Sequence, residues 1–176
     1  YLDDSRTTVI VLRTDTSDAF RQHEEQRRAL QNDLSEVESS RLDGVTGILN
    51  RAATEEAITA RLAQRGGGSC ALLVLDLDNL KTINDSYGHI QSDRALRSIA
   101  TALKKHFRST DIVGRIGGDE FMALLSGVRD TCWLDKSLSA LLKEISAIRV
   151  GEDDSWVVHC SIGCALSKPG AQEFTV

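Results

Sequence analysis

The chain of 176 residues lacks a long hydrophobic run, an excess of positive charge and any Cys-x-x-Cys pair. No apolar stretch approaches the ~20 residues that a membrane helix requires, so we expect a soluble domain without membrane contact. The formal net charge of -5 at pH 7 provides no basic surface for phosphate neutralisation. Nucleic-acid binding is therefore disfavoured.

The four cysteines, at positions 70, 132, 160 and 164, show no zinc-type spacing. We expect them to be free, buried thiols, which places the protein in the reducing cytoplasm. The N-terminus has neither an initiator methionine nor the character of a signal peptide. This indicates a piece of a longer protein.

Two segments precede the main part of the chain. Residues 7–13 are rich in β-branched side chains and predict a strand, and residues 19–41 predict a polar helix without glycine or proline. One face of that helix has a weak heptad pattern at Phe20, His23, Arg27, Leu30, Leu34, Val37 and Arg41. A parallel dimeric coiled coil is favoured over a solvated connector helix, which would be marginal in water. We assign residues 1–15 to the end of a preceding sensory domain, 16–41 to a linker helix and 42–176 to the main domain.

The main domain predicts an α+β fold, with helices packed on a largely antiparallel sheet. Asn50 is expected to cap a first helix. Residues 70–75 form a continuous apolar run, typical of a central strand buried on both faces. A second helix is predicted over 92–107, a third over the apolar positions 138–148, and a last strand over 155–166.

Between the second and third helices, residues 117–121 read G-G-D-E-F and separate two short apolar runs at 111–116 and 121–125. This arrangement predicts a β-hairpin in which Gly117 and Gly118 supply the positive φ angles of a tight turn. A turn without side chains lets a ligand approach the backbone. The carboxylates of Asp119 and Glu120, directly beside it, are suited to a divalent cation.

Four segments together resemble the GGDEF family of diguanylate cyclase domains. Residues 43–51 (D-G-V-T-G-I-L-N-R) are similar to D-x-L-T-G-L-x-N-R, and residues 76–89 (D-L-D-N-L-K-T-I-N-D-S-Y-G-H) to D-x-D-x-F-K-x-x-N-D-x-x-G-H. The hairpin motif at 117–121 and S-I-G at 161–163 complete the match. The resemblance implies a palm-type nucleotidyl-cyclase fold with a ferredoxin-like core, preceded by the helical linker.

The resemblance implies a Mg²⁺ site, with Mn²⁺ as an alternative, formed by Asp76, the Leu77 carbonyl, Asp119 and Glu120. Asp76 ends a buried strand, where an unpaired carboxylate is costly and a cation would resolve the cost. Glu120 is implied to activate the 3′-hydroxyl or to join Asp119 on the metal. The division of these roles stays open.

The resemblance also assigns residues to the nucleotide. Asn84 and Asp93 are implied to read guanine, Lys81 to lie near the phosphates, and the glycines at 117 and 118 to admit the substrate. Ser92 replaces the glycine that precedes this aspartate in the family pattern. Arg108 and Asp111 form an RxxD, ahead of the hairpin, that implies an inhibitory site for the product.

The function implied is the condensation of two GTP into cyclic di-GMP and two pyrophosphates by a homodimer. The alternative is a catalytically silent module that binds GTP or cyclic di-GMP. A palm-type polymerase is disfavoured by the acidic net charge. The family pattern continues after S-I-G with A-D-x-A-L-Y-x-A-K and G-R-N, which residues 168–176 do not match. We therefore expect the basic residues that help hold the triphosphate to be missing from this chain.

Overall fold

The computed structural model describes residues 17–64, 68–151 and 154–167, except for the side chains of residues 17–22, 29–30 and 32–35. The predicted strand at 7–13 and the segment 168–176 lie outside the described residues. The chain divides into two units, 1–39 and 40–176.

The linker helix, α1, spans Ser17–Ser40. Its described side chains are mostly exposed, including 59% of Val37, and Arg28 pairs with Glu24 one turn earlier at 3.7 Å. An isolated helix of this polarity has little to stabilise it, so the coiled coil remains a prediction. None of the helices in the described part of the chain is long and apolar enough to cross a membrane.

The second unit has an antiparallel sheet with helices, which confirms the predicted fold class. Its four strands, in the order β2-β3-β1-β6, are β1 Cys70–Leu77, β2 Ile112–Arg115, β3 Glu120–Ser126 and β6 Cys160–Ser167. The three helices of this unit are α2 Arg51–Leu62, which precedes β1, α3 Leu80–His106, between β1 and β2, and α4 Thr131–Ile145, which follows β3. A separate two-stranded hairpin consists of β4 Arg149–Val150 and β5 Trp156–Val157. Asn50 caps α2 as predicted, accepting a hydrogen bond from the Ala53 N–H at 3.0 Å.

The central strand β1 is buried on one face only. Its core face is fully enclosed, at Ala71, Leu73, Leu75 and Leu77, whereas Val74 on the other face is 38% exposed. The prediction of burial on both faces was therefore wrong, because an uninterrupted apolar run does not reveal how many layers cover a sheet. The stripe predicted on α3 is confirmed as core, at Leu96, Ile99, Leu103 and Phe107.

Helix α3 begins twelve residues before the predicted start at 92 and bends at Gly88. Gly88 has φ 79° and ψ 171°, a conformation essentially restricted to glycine. The first segment places Leu80, Ile83 and Tyr87 against the core at helical spacing, but it spans only about two turns before Gly88, too short a stretch for periodicity to identify.

The last predicted strand, 155–166, is two strands of different sheets. The Val158 N–H donates to the Ile148 carbonyl at 3.2 Å and the Asp78 N–H to the His159 carbonyl at 3.0 Å. These two bonds lie between β5 and β6, where the backbone leaves the two-stranded hairpin and enters the main sheet.

Candidate functional site

The end of β1 and the start of β3 bring the predicted carboxylates together. Asp76 lies directly opposite Glu120 in the antiparallel register, and the Leu77 N–H donates to the Asp119 carbonyl at 3.0 Å. Side chains directly opposite one another in such a pair share one face of the sheet and approach closely. The sheet therefore gathers Asp76, Leu77, Asp119 and Glu120 at one edge.

The connection between β2 and β3 is a four-residue loop, Ile116–Asp119, closed by the Ile116 N–H donating to the Glu120 carbonyl at 2.9 Å. Neither Gly117 nor Gly118 has a positive φ, so the predicted two-residue turn was wrong. Gly117 has a steric role instead: a Cβ there would stand 2.4 Å from Glu120 Oε2. Gly118 faces open space.

Arg51, the first residue of α2, contacts the same loop. Its Nε donates to the Ile116 carbonyl, and its Nη2 lies 4.0 Å from Glu120 Oε2. The Glu120 carboxylate therefore lies between the backbone of Gly117 and a guanidinium. Sequence reasoning assigned no role to Arg51, although its place in the motif at 43–51 marked it.

A second arginine, Arg115, binds the backbone of the same loop. Arg115 Nη1 donates to both carboxylate oxygens of Asp43, at 3.0 and 3.3 Å, and Nη2 donates to the Gly118 carbonyl at 2.7 Å. Burial raises the pKa of Asp43, but the hydrogen bonds from Thr46 and the contact with Arg115 outweigh it, so the pKa lies below 3.8. The carboxylate is thus held ionised, and it links the chain just after α1 to the loop that carries Asp119. This link was not predicted, because a sequence does not show which arginine reaches an aspartate 72 residues away.

Negative charge accumulates at this edge of the sheet. Partial desolvation, together with the charges of Asp119, Glu120 and Asp78, raises the pKa of Asp76 above 3.8. Burial and the charge of Asp78 likewise raise the pKa of Cys160 to about 11, so this thiol stays protonated. Among residues 17–64, 68–151 and 154–167, no three acidic, histidine or cysteine side chains already converge as a metal cluster. The donor set still fits a hard cation, because oxygen ligands and unrelieved like charge are what such an ion requires.

The bend at Gly88 brings Asn84, the first predicted base reader, to Ser92, which precedes the second reader in the chain. Asn84 precedes the bend, and its Oδ1 lies 3.4 Å from the hydroxyl of Ser92, next to Asp93. The Asp93 carboxylate accepts from Arg97 Nη2 at 3.3 Å, and Arg97 Nε donates to the Val45 carbonyl at 3.0 Å. Lys81 stands exposed in the first turn of α3.

The RxxD borders an apolar cavity of about 440 Å³, lined in part by Ile48, Phe107 and Val113. The Asp111 carboxylate is already occupied, since it accepts from the Arg108 N–H at 3.0 Å and the Ser126 N–H at 3.1 Å. It therefore fixes the loop backbone. The Arg108 side chain, at the rim of the cavity, is exposed.

Comparison with known proteins gives a consistent family. The family model described as diguanylate cyclase, GGDEF domain, matches residues 40–175. The chain is 40% identical over 105 residues to the diguanylate cyclase DgcP of Pseudomonas aeruginosa, covering 58% of this chain and 16% of that protein. It is 34% identical over 163 residues to the cyclic di-GMP phosphodiesterase PdeB of Shewanella oneidensis, covering 92% of this chain and 17% of that protein. The chain thus spans about a sixth of the length of these relatives.

A solved structure agrees with the fold. The GGDEF domain of DgcB from Caulobacter crescentus, in complex with c-di-GMP, superposes with a TM-score of 0.67 at 26% identity. The match covers 74% of this chain and 80% of that chain.

Proposed function

Because this chain belongs to the GGDEF family of diguanylate cyclase domains, we propose that it condenses two GTP molecules into cyclic di-GMP and two pyrophosphates. The observation that carries the proposal is the strand register, which sets Asp76 opposite Glu120 and ties Leu77 to Asp119. Each half-reaction joins a ribose 3′-oxygen to the α-phosphorus of the other GTP. The P–O bond to pyrophosphate breaks, and the hydroxyl proton leaves to a base.

We propose that Mg²⁺, or Mn²⁺, is held by Asp76, Asp119, Glu120 and the Leu77 carbonyl. When bound, the cation supplies charge neutralisation at the phosphates. The raised pKa of Asp76 supports this assignment, since the negative charges of Asp119, Glu120 and Asp78 contribute to it and a bound cation would relieve them.

Glu120 is the proposed acceptor of the 3′-hydroxyl proton, with Asp119 as the other carboxylate able to take it. The missing Cβ of Gly117 leaves space for the Glu120 carboxylate, and Arg51 stands 4.0 Å from it. A carboxylate held in this way is suited to act as base or ligand, because both of its oxygens accept protons or bind a cation.

The nucleotide is proposed to lie across the start of α3. Asn84 and Asp93 would pair with guanine, whose edge offers both acceptors and donors, and Lys81 would face the phosphates. Gly117 and Gly118 would let the triphosphate approach the loop backbone. These roles rest on the family motif, together with the contact of Asn84 with Ser92, the residue before Asp93.

Two copies are needed, because each GTP attacks the other. We propose a homodimer in which α1 of each copy forms the coiled coil that its heptad pattern predicts. Cyclic di-GMP is proposed as a second ligand, gripped by Arg108, with Asp111 fixing the backbone around it. The related DgcB domain was solved in complex with c-di-GMP.

Turnover of GTP tests the proposal. The purified chain, incubated with GTP and Mg²⁺, is expected to form cyclic di-GMP, and Glu120→Gln is expected to lower the rate by roughly 100-fold or more. Glu36→Gln, on exposed α1, is the matched control and is expected to retain full activity. Equal rates for Glu120→Gln and wild type would overturn the proposed role of Glu120.

A second candidate function is a silent module that binds nucleotide to regulate an attached enzyme. It is favoured by the match to PdeB, a phosphodiesterase of which this chain covers 17%. Titration with GTP and with cyclic di-GMP separates the two. Binding without any turnover supports the module, whereas turnover rules out a silent domain.

A further inference from the structure

We propose that Ser92 is a positioning residue that orients the amide of Asn84 and thereby sets the preference for guanine over adenine. The inference rests on the proposed function, in which Asn84 and Asp93 contact the base. It adds a residue to which neither the sequence nor the family comparison assigned a role.

Ser92 is 6% exposed and lies in the first turns of α3 after the bend. Its hydroxyl is 2.9 Å from the His89 carbonyl oxygen and 3.4 Å from Asn84 Oδ1. The hydroxyl carries one proton and donates it in a bifurcated hydrogen bond to these two acceptors, with the shorter arm to the His89 carbonyl. The oxygen end of the amide therefore faces Ser92, and its NH₂ end is directed elsewhere.

This contact depends on the bend. In a straight helix, residues eight apart are about 12 Å apart along the axis, beyond the reach of either side chain. The conformation of Gly88, with φ 79°, folds the first segment of α3 back toward the second. Asn84 and Ser92 consequently meet across the bend, beside Asp93.

The consequence is an ordered pair of hydrogen-bonding groups. Asn84 presents donors, and next to it Asp93, held by Arg97 at 3.3 Å, presents acceptors. Guanine offers the O6 acceptor beside the N1–H donor, whereas adenine offers its donor and acceptor in the reverse order. An amide free to rotate could turn its oxygen toward the exocyclic amine of adenine, because its two ends exchange donor and acceptor. Fixing one orientation leaves adenine with unpaired polar groups.

The test compares Ser92→Ala with Ser98→Ala in the full chain. Ser98 lies on the same helix and its hydroxyl makes an equivalent bond to the Arg94 carbonyl, at 2.9 Å, without an amide partner. Ser92→Ala is expected to raise the Kd for GTP by about 3- to 10-fold while leaving the Kd for ATP unchanged or lower. Ser98→Ala is expected to change neither. A purely structural role would weaken both nucleotides alike.

A double-mutant cycle with Asn84→Ala completes the test. If Ser92 acts through Asn84, removing its hydroxyl has no further effect on the GTP-to-ATP ratio once the amide is gone. An additive loss, or an unchanged ratio in Ser92→Ala, would overturn the inference while GTP binding by the wild type upholds the proposed function. A wild-type chain that binds no GTP would overturn both.

Discussion

At the scale of single residues, the site is a set of like charges held close by the main chain. The sheet register brings Asp76 and Glu120 together whatever their charge, because backbone hydrogen bonds set it. The cost is visible in the raised pKa of Asp76. A site that is destabilised without its ligand binds a cation well, since the ion relieves the repulsion.

Asp76→Asn is expected to stabilise the chain in the absence of divalent cations. The folded pKa of Asp76 lies above its usual 3.8, so the fold loses stability as pH rises from below 3.8 through that raised value. The amide removes this loss, and we expect the Tm near neutral pH in EDTA to rise by roughly 1–3 °C. Thermal unfolding followed from about pH 3 to pH 7 measures it. If the Tm of the two proteins changed with pH in parallel, repulsion between Asp76 and its acidic neighbours would be contradicted.

Gly117→Ala and Gly118→Ala are expected to separate the roles of the two loop glycines. The new Cβ at Gly117 would displace the end of the Glu120 side chain, which is 2.4 Å away, whereas the space at Gly118 is open. Because Glu120 can rotate, we expect Gly117→Ala to fold normally but to form cyclic di-GMP roughly 100-fold more slowly. Gly118→Ala leaves Glu120 in place, so its effect is expected on the affinity for GTP and not on the rate at saturating GTP; an equal loss of that rate would contradict the steric account.

At the scale of secondary-structure elements, two arginines hold the loop between β2 and β3. Arg51 reaches it from α2, and Arg115 joins the Gly118 carbonyl to Asp43. The position of Asp119 thus depends on the segment that follows α1. The position of Asn84 depends in turn on the bend in α3 at Gly88.

Asp43→Asn is expected to cost about 1–3 kcal/mol of unfolding free energy near neutral pH, because it removes the charge that Arg115 and Thr46 hold. The lowered pKa of Asp43 places this contribution above pH 3.8 and removes it as pH falls through the folded value. Urea unfolding at about pH 7 and about pH 3 should therefore show a difference from wild type that shrinks in acid. The exposed Asp135→Asn is the control. A difference that stays constant with pH would contradict the assignment.

Gly88→Ala is expected to destabilise the fold by about 1–3 kcal/mol, because alanine is strained at a φ of 79°. Straightening α3 would also separate Asn84 from Ser92, so the affinity for GTP should fall. Gly44→Ala, at a position with open space and no positive φ, provides the comparison. Wild-type stability in Gly88→Ala would show that the bend does not require glycine.

The sequence predicted the elements whose periodicity is strong and missed those set by long-range contacts. The stripe from Leu96 to Phe107 and the cap at Asn50 followed from local chemistry. The bend at Gly88 and the divided strand around Val158 depend on where distant backbone groups find partners. Motif spacing pointed to Asp76 and Glu120, whereas the reach of Arg115 to Asp43 became visible only in three dimensions.

At the scale of the whole molecule, the proposed chemistry needs two copies of this domain facing each other. One site holds one GTP, and the attacking 3′-hydroxyl belongs to the other. The chain spans about a sixth of the length of the relatives DgcP and PdeB.

The most direct test of the central claim is the stoichiometry of the products. The purified chain is incubated with GTP and Mg²⁺, over a range of protein concentrations, and cyclic di-GMP and pyrophosphate are quantified by chromatography and a coupled assay. The account predicts two pyrophosphates for each cyclic di-GMP, with a specific activity that rises with protein concentration as dimers form. Hydrolysis of GTP to GDP and phosphate, with no cyclic di-GMP at any concentration, would contradict it.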